Sequence, residues 1–285
     1  MANLQRSVLI TGCSDGGLGA ALAIAFRNAG LLVYATARNP AKMTKVAEAG
    51  CQTLVLDVTS KESIAACVSN IPSLDILVNN AGGGYSMPVM DLSIPEAKKL
   101  FDLNVWSCIT VTQAFLPLLL ASKGLIANHT SVDSVISIPF QSAYNASKAA
   151  MSIFSDTMRL ELSPFDVKVV EIKTGGAVSK FMDNKLLDTK QITLPLDSIY
   201  QPAKETTESV LRGEWVGGRQ SSAEDWATLV AKDLLKTRPP IATWRGLGAG
   251  SVRLLNLLPA GTLDSPMKKM TRLDEIERTI RQQRH

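Results

Sequence analysis

A tyrosine and a lysine four residues apart carry the clearest chemical signal in this sequence. Tyr144 and Lys148 open the stretch Tyr144–Leu162, whose apolar spacing predicts a long helix, so the two side chains share one helix face. A free tyrosine ionises at about pH 10, and a neighbouring ammonium group stabilises the phenolate and lowers that pKa. Such a pair can exchange a proton with a carbonyl or alcohol oxygen. An isolated pair of this kind is usually an ordinary pair on a helix surface, so this interpretation depends on the residues around it.

Two further polar residues precede this pair in the chain. Ser131 lies thirteen residues before Tyr144, just after the predicted strand Gly124–Asn128. Its hydroxyl can donate a hydrogen bond to a substrate oxygen on which charge develops. Asn104 falls within a long predicted helix, where asparagine is only a modest helix former. A buried amide there suggests a specific polar task, such as ordering a water molecule near Lys148.

A glycine-rich loop near the start of the chain has the features of a phosphate site. The loop, Thr11–Gly19, connects the predicted strand Ser7–Ile10 to the predicted helix Ala20–Ala29. Glycines let backbone N–H groups approach a pyrophosphate closely, and the positive end of the helix favours the same negative charge. The order strand, loop, helix therefore predicts a dinucleotide site. The loop residues expected to contact the nucleotide are Gly12, Ser14, Gly17, Leu18 and Gly19.

The residue after the second predicted strand, Leu32–Ala35, indicates which nucleotide is bound. An acidic residue there would bind the ribose 2′-hydroxyl of NAD, but the sequence has Arg38 and no carboxylate. Arg38 can form charge-assisted hydrogen bonds with a 2′-phosphate, so NADPH/NADP+ is the predicted cofactor. A surface arginine is the weaker alternative. Asp15 in the glycine loop counts against a nearby phosphate, unless it points to solvent and the repulsion is screened.

These residues need a sheet whose strands end at one edge, and the first 175 residues predict one. Short apolar runs alternate with stretches of helical spacing, which indicates parallel strands covered by helices on both faces. The predicted fold class is α/β, a Rossmann-type doubly wound parallel sheet. Thr59 with Glu62, and Ser93 with Glu96, have the pattern of capping boxes that begin two helices. The predicted strands are Ser7–Ile10, Leu32–Ala35, Thr53–Leu56, Asp75–Val78, Gly124–Asn128 and Lys168–Ile172.

Size and composition exclude several classes of protein. The 285 residues are expected to form one domain, with a dinucleotide-binding and catalytic core in 1–180 and a substrate-binding loop and helices in 181–285. A net charge of +4 is too small to indicate nucleic-acid binding. The four cysteines lack C-x-x-C spacing, which argues against a zinc site and favours buried free thiols; no metal site is predicted. Without a visible leader or a run of 18 apolar residues, a cytoplasmic protein is expected.

The sequence pattern loosens after Ser179. The stretch Ala223–Lys236 predicts a helix that begins at Ser221 or Ser222 and ends before a proline pair. The glycine-rich segment 246–250 follows no predicted strand, so we expect a flexible loop and not a second phosphate site. Met267–Arg284 predicts a charged amphipathic helix. A solvated or partner-facing helix is preferred there over contact with a membrane surface.

Together these residues resemble the classical subgroup of short-chain dehydrogenases/reductases over roughly Ser7 to Phe181. The tetrad that the resemblance implies comprises Asn104, Ser131, Tyr144 and Lys148. The tyrosine would be the proton donor or acceptor, the lysine would also bind the nicotinamide ribose, and the asparagine would hold a water molecule of a proton relay. The resemblance adds to the cofactor site Asp57, Val58, Asn80, Ala81, Gly82, Gly175, Ala177 and Ser179.

Two departures from the family pattern point to a narrower group. The glycine loop has one inserted residue, and Thr174-Gly175 replaces the usual Pro-Gly after the sixth strand. Both features resemble the fungal enzymes that are similar to NADPH-dependent 1-acyldihydroxyacetone phosphate reductase. Members with a lipid role usually carry a more hydrophobic tail than this one, so attachment to a membrane is not expected.

The sequence therefore predicts an oxidoreductase that interconverts a ketone and a secondary alcohol. Apolar residues in Phe181–Val216 suggest a pocket for a bulky lipophilic substrate, although core packing explains them equally well. These residues are Met182, Leu186, Leu187, Ile192, Leu194, Ile199, Tyr200 and Trp215. Non-redox chemistry on the same fold, or docking on a lipid surface, are the alternatives. The family resemblance implies a homodimer or homotetramer, and the apolar side chains of Ser93–Ser122 can either form that contact or be buried within one subunit.

Overall fold

The computed structural model describes residues 5–179, 192–216, 220–259 and 261–283. Its centre is a seven-stranded parallel sheet in the order β3-β2-β1-β4-β5-β6-β7. This order, which reverses direction at β1 and β4, confirms the predicted doubly wound α/β fold. The strands are β1 Ser7–Thr11, β2 Leu32–Ala37, β3 Gln52–Val55, β4 Ile76–Asn79, β5 Leu125–His129, β6 Lys168–Thr174 and β7 Ala242–Arg245.

Helices cover both faces of this sheet. The first six are α1 Leu18–Asn28, α2 Thr44–Glu48, α3 Lys61–Ser69, α4 Ile94–Phe101, α5 Ser107–Ser122 and α6 Ser142–Glu161. The later ones are α7 Lys204–Leu211, α8 Ala223–Leu234, α9 Ala249–Leu255, α10 Asp264–Met270 and α11 Leu273–Gln282. A π-helix, Asp102–Trp106, joins α4 to α5 without a break in the helical path.

The strands are apolar on both faces because each face meets helices. In β1, Val8 and Ile10 belong to a core that includes side chains of α1 and α8. Leu9, which lies between them, points to the opposite face and joins a core with side chains of α3 and α5. This alternation explains why the six predicted strands read as nearly continuous apolar runs.

The seventh strand, β7, was not predicted from the sequence. β7 is only four residues long and pairs in parallel with β6, from Glu171↔Ala242 to Thr174↔Arg245. A buried carboxylate on α8 holds it: Asp233 accepts hydrogen bonds from Thr243 Oγ1 at 2.6 Å and from Arg245 Nε at 2.8 Å. A strand this short leaves too few residues for a periodic signal.

The helix starts were predicted with mixed success. Ser93 accepts a hydrogen bond from the N–H of Glu96 at 3.4 Å, and Ser222 caps α8 through the N–H of Asp225, as predicted. The assignment of Thr59 as a cap was wrong. Ser60 caps α3, while the N–H and hydroxyl of Thr59 both donate to Asp57 Oδ1 at the end of β3.

The long helical stretch Ile94–Ser122 has the length and mean hydropathy of a membrane span, although it contains no uninterrupted run of 18 apolar residues. Its side chains Val105, Val111 and Phe115 are nevertheless buried within this chain. Burial of these side chains against the rest of the chain is typical of a core helix in a globular domain. These three side chains are therefore used inside the subunit, whereas Ile94, Trp106 and Leu120 of the same stretch are exposed.

The C-terminal region differs from its prediction in two ways. The expected single helix is two helices, α10 and α11, because Arg272 adopts a left-handed conformation with φ 55° between them. The apolar side of α11 packs within this chain, where Ile276 is fully buried. The glycine segment expected to be a flexible loop contacts the backbone of Gly175 and leads into α9.

Candidate active site

The glycine loop and the segment after β4 form one unit at the carboxyl edge of the sheet. Asn80 donates from Nδ2 to the carbonyl oxygens of Thr11 at 2.7 Å and Gly12 at 3.1 Å. The N–H of Ala81 donates to Thr11 Oγ1 at 2.9 Å. A Cβ on Gly12 would lie 2.9 Å from the Cα of Ala81, and one on Gly19 would lie 2.5 Å from the carbonyl oxygen of Gly12. Only glycine fits at either position.

The remaining loop residues turn the chain into α1. The carbonyl oxygen of Ser14 accepts a hydrogen bond from the N–H of Gly17 at 3.0 Å. Gly17 is the N-cap of α1, and Leu18 is its first residue. No side chain caps this helix, so the N–H groups at its start are available for an anion.

Asp15, the acidic residue of the glycine loop, is bonded to the segment that begins α2. Its Oδ2 accepts a hydrogen bond from the N–H of Lys45 at 3.1 Å, and its own N–H donates to the carbonyl oxygen of Lys42 at 2.7 Å. The carboxylate thus holds the glycine loop against the start of α2. Its other oxygen, Oδ1, is buried without a hydrogen-bond partner, so this carboxylate does not point to solvent.

Arg38 and Asp57 lie together where β2 and β3 end. Arg38 is exposed. Burial would raise the pKa of Asp57, but hydrogen bonds from Thr59 and the charge of Arg38 outweigh it, so the pKa is lowered. Val58 is buried beside them. An exposed guanidinium next to a carboxylate can bind one face of a nucleotide, with the phosphate at the arginine and polar donors at the aspartate.

Asn104 and Lys148 flank Gly82, the last residue of the segment after β4. A Cβ on Gly82 would lie 3.1 Å from Asn104 Oδ1 and 3.6 Å from Lys148 Nζ. Asn104 is 1% exposed and sits within the π-helix. It accepts from the N–H of Gly83 at 2.9 Å and donates to the carbonyl oxygen of Gly83 and to Ser147 Oγ, both at 3.0 Å. Asn104 thus has a polar task within the helix, because its hydrogen bonds fix Gly83 in the loop beside Lys148.

Tyr144, Lys148 and Ser131 meet at the first turns of α6. Lys148 Nζ lies 5.7 Å from the centre of the Tyr144 ring and donates to the carbonyl oxygen of His129 at 2.9 Å. Ser131 forms a hydrogen bond with Tyr144 that favours the phenolate. All three side chains are buried. The sequence-predicted tetrad is therefore brought together, with Asn104 on the far side of Gly82.

The direction of the tyrosine shift differs from the sequence expectation. Burial raises the pKa of Tyr144, the charge of Asp133 adds to this, and the hydrogen bond from Ser131 opposes it without reversing the net rise. Burial also lowers the pKa of Lys148, although negative neighbours including Asp133 oppose that effect. In this structure desolvation sets the direction of the shift, and the phenol is held in its protonated, donating form.

Asp133 was missed by the sequence analysis. Burial raises the pKa of this carboxyl to about 6, while a hydrogen bond from Ser131 and the charge of Lys148 hold it down. It stands two residues after Ser131, on the turn that Ser131 begins. Asp133 could have been predicted as a site residue from its position two residues after Ser131, the candidate catalytic serine.

A buried ion pair lies behind the same turn. Lys173 Nζ donates to Glu171 Oε1 at 2.6 Å and to Ser134 Oγ at 2.9 Å. Thr130 Oγ1 donates to Glu171 Oε1 at 2.7 Å, and Ser134 Oγ donates to the carbonyl oxygen of Ser131 at 2.7 Å. The two charged side chains are each 7% exposed. The pair therefore holds the backbone of Ser131 on both sides.

The Gly175–Ser179 loop closes the site on the β6 side. A Cβ on Gly175 would collide with the carbonyl oxygen of Leu247, and Ala177 bridges to Ser221. Ser179 is partly buried at the end of the described stretch. These contacts hold the loop beside Ser131, whose Oγ lies 3.4 Å from the carbonyl oxygen of Thr174.

Tyr144 belongs to one of the buried apolar clusters of the structure. The buried members of this cluster include Ile192, Leu194, Phe140 and Tyr144 itself. Tyr200 and Trp215 pack against it partly buried, whereas Ile199 is 61% exposed. The predicted pocket residues Met182, Leu186 and Leu187 lie outside the described residues. Four of the predicted pocket residues, Ile192, Leu194, Tyr200 and Trp215, thus belong to or pack against the same apolar cluster as Tyr144.

The family model of short chain dehydrogenases matches residues 6–190, which include every residue discussed above for the glycine loop and the tetrad. The chain belongs to the short-chain dehydrogenase/reductase family. A short-chain dehydrogenase/reductase from Pestalotiopsis microspora is 50% identical over 281 residues, which cover 99% of each chain. The resemblance found in the motifs is therefore confirmed.

Two further comparisons support the subgroup and the fold. An NADPH-dependent 1-acyldihydroxyacetone phosphate reductase from Schizosaccharomyces pombe is 41% identical over 206 residues, 70% of this chain and 70% of its own. A short-chain dehydrogenase from Streptomyces avermitilis has a crystal structure that covers 97% of this chain and 98% of its own, with a TM-score of 0.75. At 24% identity this second likeness shows the fold of the dehydrogenase/reductase family.

Proposed function

We propose that this short-chain dehydrogenase/reductase uses NADP(H) to interconvert a ketone and a secondary alcohol. The observation that carries the proposal is that Tyr144, Lys148 and Ser131 are buried together on the same edge of the sheet as the glycine loop. When bound, the nicotinamide supplies or accepts a hydride. The NADPH-dependent relative from Schizosaccharomyces pombe supports the choice of cofactor.

The residues of this chain fit such a cofactor. The cradle formed by Gly12 and Gly19 has no space for a Cβ, and the uncapped start of α1 favours a pyrophosphate. Arg38, exposed at the end of β2, would bind the 2′-phosphate. Lys148 would bind the nicotinamide ribose, and the loop that begins at Gly175 would hold the carboxamide.

In the reduction, Tyr144 would give its phenolic proton to the substrate oxygen. Burial keeps the phenol protonated, which suits a donor. The hydroxyl of Ser131 would hydrogen-bond the same oxygen as negative charge develops there. Lys148 stabilises the phenolate left on Tyr144, because its ammonium group is held at the ring by the carbonyl oxygen of His129.

We infer a lipophilic substrate from the apolar cluster beside Tyr144. Ile192 and Leu194 are 5% and 4% exposed and pack in the same cluster as the tyrosine. An apolar wall next to the proton donor favours a ketone with a hydrocarbon substituent. The segment 181–285 would then supply the substrate-binding half of the domain.

Self-association is supported by exposed apolar side chains on the π-helix Asp102–Trp106 and on α6. Trp106, Ile153 and Leu160 are 52%, 68% and 63% exposed, which is unusual for large apolar side chains in one region. We expect a homodimer or homotetramer in the cytoplasm.

The proposal is tested by NADPH oxidation with a series of ketones of increasing alkyl chain length. We expect Tyr144→Phe to lower kcat by about 10²–10⁴-fold, the range for loss of a general acid. Tyr34→Phe removes a phenol from β2, away from the site, and is the matched control. The same preparation should bind NADPH at least about tenfold more tightly than NADH, a difference of about 1.4 kcal/mol. Arg38→Ala should abolish that preference. Full turnover by Tyr144→Phe would refute the proposed mechanism.

A further inference from the structure

Thr174, the last residue of β6, stands where the family usually has a proline and takes part in a continuous chain of hydrogen bonds. Thr174 is 9% exposed. Its Oγ1 lies 2.7 Å from Nε2 of His129 and receives the indole N–H of Trp226 at 3.2 Å. On the other side of the imidazole ring, His129 Nδ1 lies 2.8 Å from Asn80 Oδ1. The rings of His129 and Trp226 stack with centroids 5.2 Å apart.

The donors and acceptors in this chain admit one assignment of protons. The indole of Trp226 can only donate, so the hydroxyl of Thr174 accepts from it. Asn80 Oδ1 can only accept, so a neutral His129 must carry its proton on Nδ1, and the hydroxyl of Thr174 gives its own proton to the unprotonated Nε2. Nδ1 of His129 then carries the ring proton and donates to Asn80 Oδ1. Both protons of the Asn80 amide are used by the carbonyl oxygens of Thr11 and Gly12. Every polar hydrogen along the chain therefore has an acceptor.

The imidazole must be neutral for this assignment to hold. Burial, and the charge of Lys148 in addition, lower the pKa of His129 to about 3. The neutral ring is thus the form that the site favours at physiological pH.

The backbone atoms of the same residues touch the candidate catalytic side chains. The carbonyl oxygen of His129 accepts from Lys148 Nζ at 2.9 Å, and the carbonyl oxygen of Thr174 lies 3.4 Å from Ser131 Oγ. Gly175 follows directly, so a shift of Thr174 moves the loop expected at the nicotinamide. The glycine loop is at the other end of the chain of hydrogen bonds, through Asn80.

We propose that His129, Thr174 and Trp226 are positioning residues that fix the distance between the glycine loop and the Gly175–Ser179 loop. A hydrogen-bonded threonine here does the work that a rigid proline ring does by fixing φ. The glycine loop would hold the pyrophosphate and the Gly175–Ser179 loop the nicotinamide end of the cofactor, so their spacing determines whether both parts bind at once. This inference rests on the proposed function, because it concerns the cofactor of that same site.

The test compares the whole cofactor with its adenosine half. Thr174→Val keeps the branched shape and removes only the hydroxyl, which leaves the buried indole N–H of Trp226 without an acceptor. We expect its affinity for NADPH, measured by nicotinamide fluorescence, to fall about tenfold, because both hydrogen bonds of the hydroxyl are lost and the spacing of the two loops is no longer fixed. Its affinity for adenosine 2′,5′-bisphosphate, which lacks the nicotinamide half, should stay within about twofold. Thr174→Ser retains the hydroxyl and should bind both ligands like the wild type.

A second variant keeps the proposal testable if Thr174→Val does not fold. Trp226→Phe keeps an aromatic side chain next to His129 but removes the indole N–H together with part of a buried ring system, so it should also weaken NADPH binding and spare the bisphosphate. Wild-type affinity for NADPH in both variants would overturn the proposal, as would a parallel loss of both ligands. Failure of the wild type to bind NADPH would instead overturn the proposed function, and this inference with it.

Discussion

Replacing Lys173 by methionine removes one charge of the buried ion pair and keeps the length of the side chain. Lys173 Nζ donates three hydrogen bonds, to Glu171, Ser134 and Ser152, at 2.6, 2.9 and 3.0 Å. Both members of the pair are 7% exposed. The substitution therefore leaves the carboxylate of Glu171 buried, with only the hydroxyls of Thr130 and Ser152 as donors.

Removal of one partner from a buried pair costs about 3–5 kcal/mol, because an uncompensated charge remains. We expect a loss of about 4 kcal/mol in the free energy of unfolding. With a urea m-value of about 3 kcal/mol/M, the unfolding midpoint would fall by about 1.3 M. Since total stability is only about 5–15 kcal/mol, the variant should be markedly weakened.

The double variant Glu171→Gln/Lys173→Met separates charge from packing. It removes both charges but keeps an amide that can serve Thr130 and Ser152, so its loss should be less than half that of the single variant. Lys168→Met, at the exposed start of the same strand, is the matched control and should change stability by less than about 0.5 kcal/mol. A single variant as stable as the wild type, or a double variant as unstable as the single one, would refute the reasoning.

Three further predictions concern the cofactor cradle and two titrating groups. Gly19→Ala should weaken NADPH binding at least about tenfold, because its Cβ has no space in the loop. Gly250→Ala, where no atom lies within 4 Å of the added Cβ, should bind normally in the same titration. The charge of Asp133 raises the pKa of Tyr144, so Asp133→Asn should shift the half-maximal pH of alcohol oxidation downward; an upward shift would contradict this. The folded-state pKa of His129 is about 3, against about 6.5 in the unfolded chain. Its contribution to stability is complete above about pH 6.5 and is lost as the pH falls toward 3. Between pH 8 and pH 5 the wild type should therefore lose about 2 kcal/mol more than His129→Phe in urea unfolding. Equal losses would show that the ring does not titrate as inferred.

Much of the fold was predictable because the signals are local. Strands buried on both faces give apolar runs that stand out without any knowledge of their neighbours. A capping serine such as Ser93 bonds only three residues ahead, so its pattern is visible in a short window. The prediction of Thr59 as the cap of α3 failed because the next residue, Ser60, is an equally good capping residue. Asp57 binds Thr59, which leaves Ser60 to cap the helix. β7 was not predicted because its four residues form a strand through pairing with β6 and carry no strand pattern of their own.

The sequence by itself determined the order of strand, glycine loop and helix, and the four-residue spacing of Tyr144 and Lys148, because each depends on neighbouring residues along the chain. Only the tertiary structure decided the direction of the Tyr144 pKa, because burial acts through atoms from distant segments. The same holds for the contact of His129 with Asn80, 49 residues away in the chain. Residues this far apart become partners only when parallel strands bring their carboxyl ends to one edge of the sheet, where the hydrogen-bond partners and the local dielectric are set together.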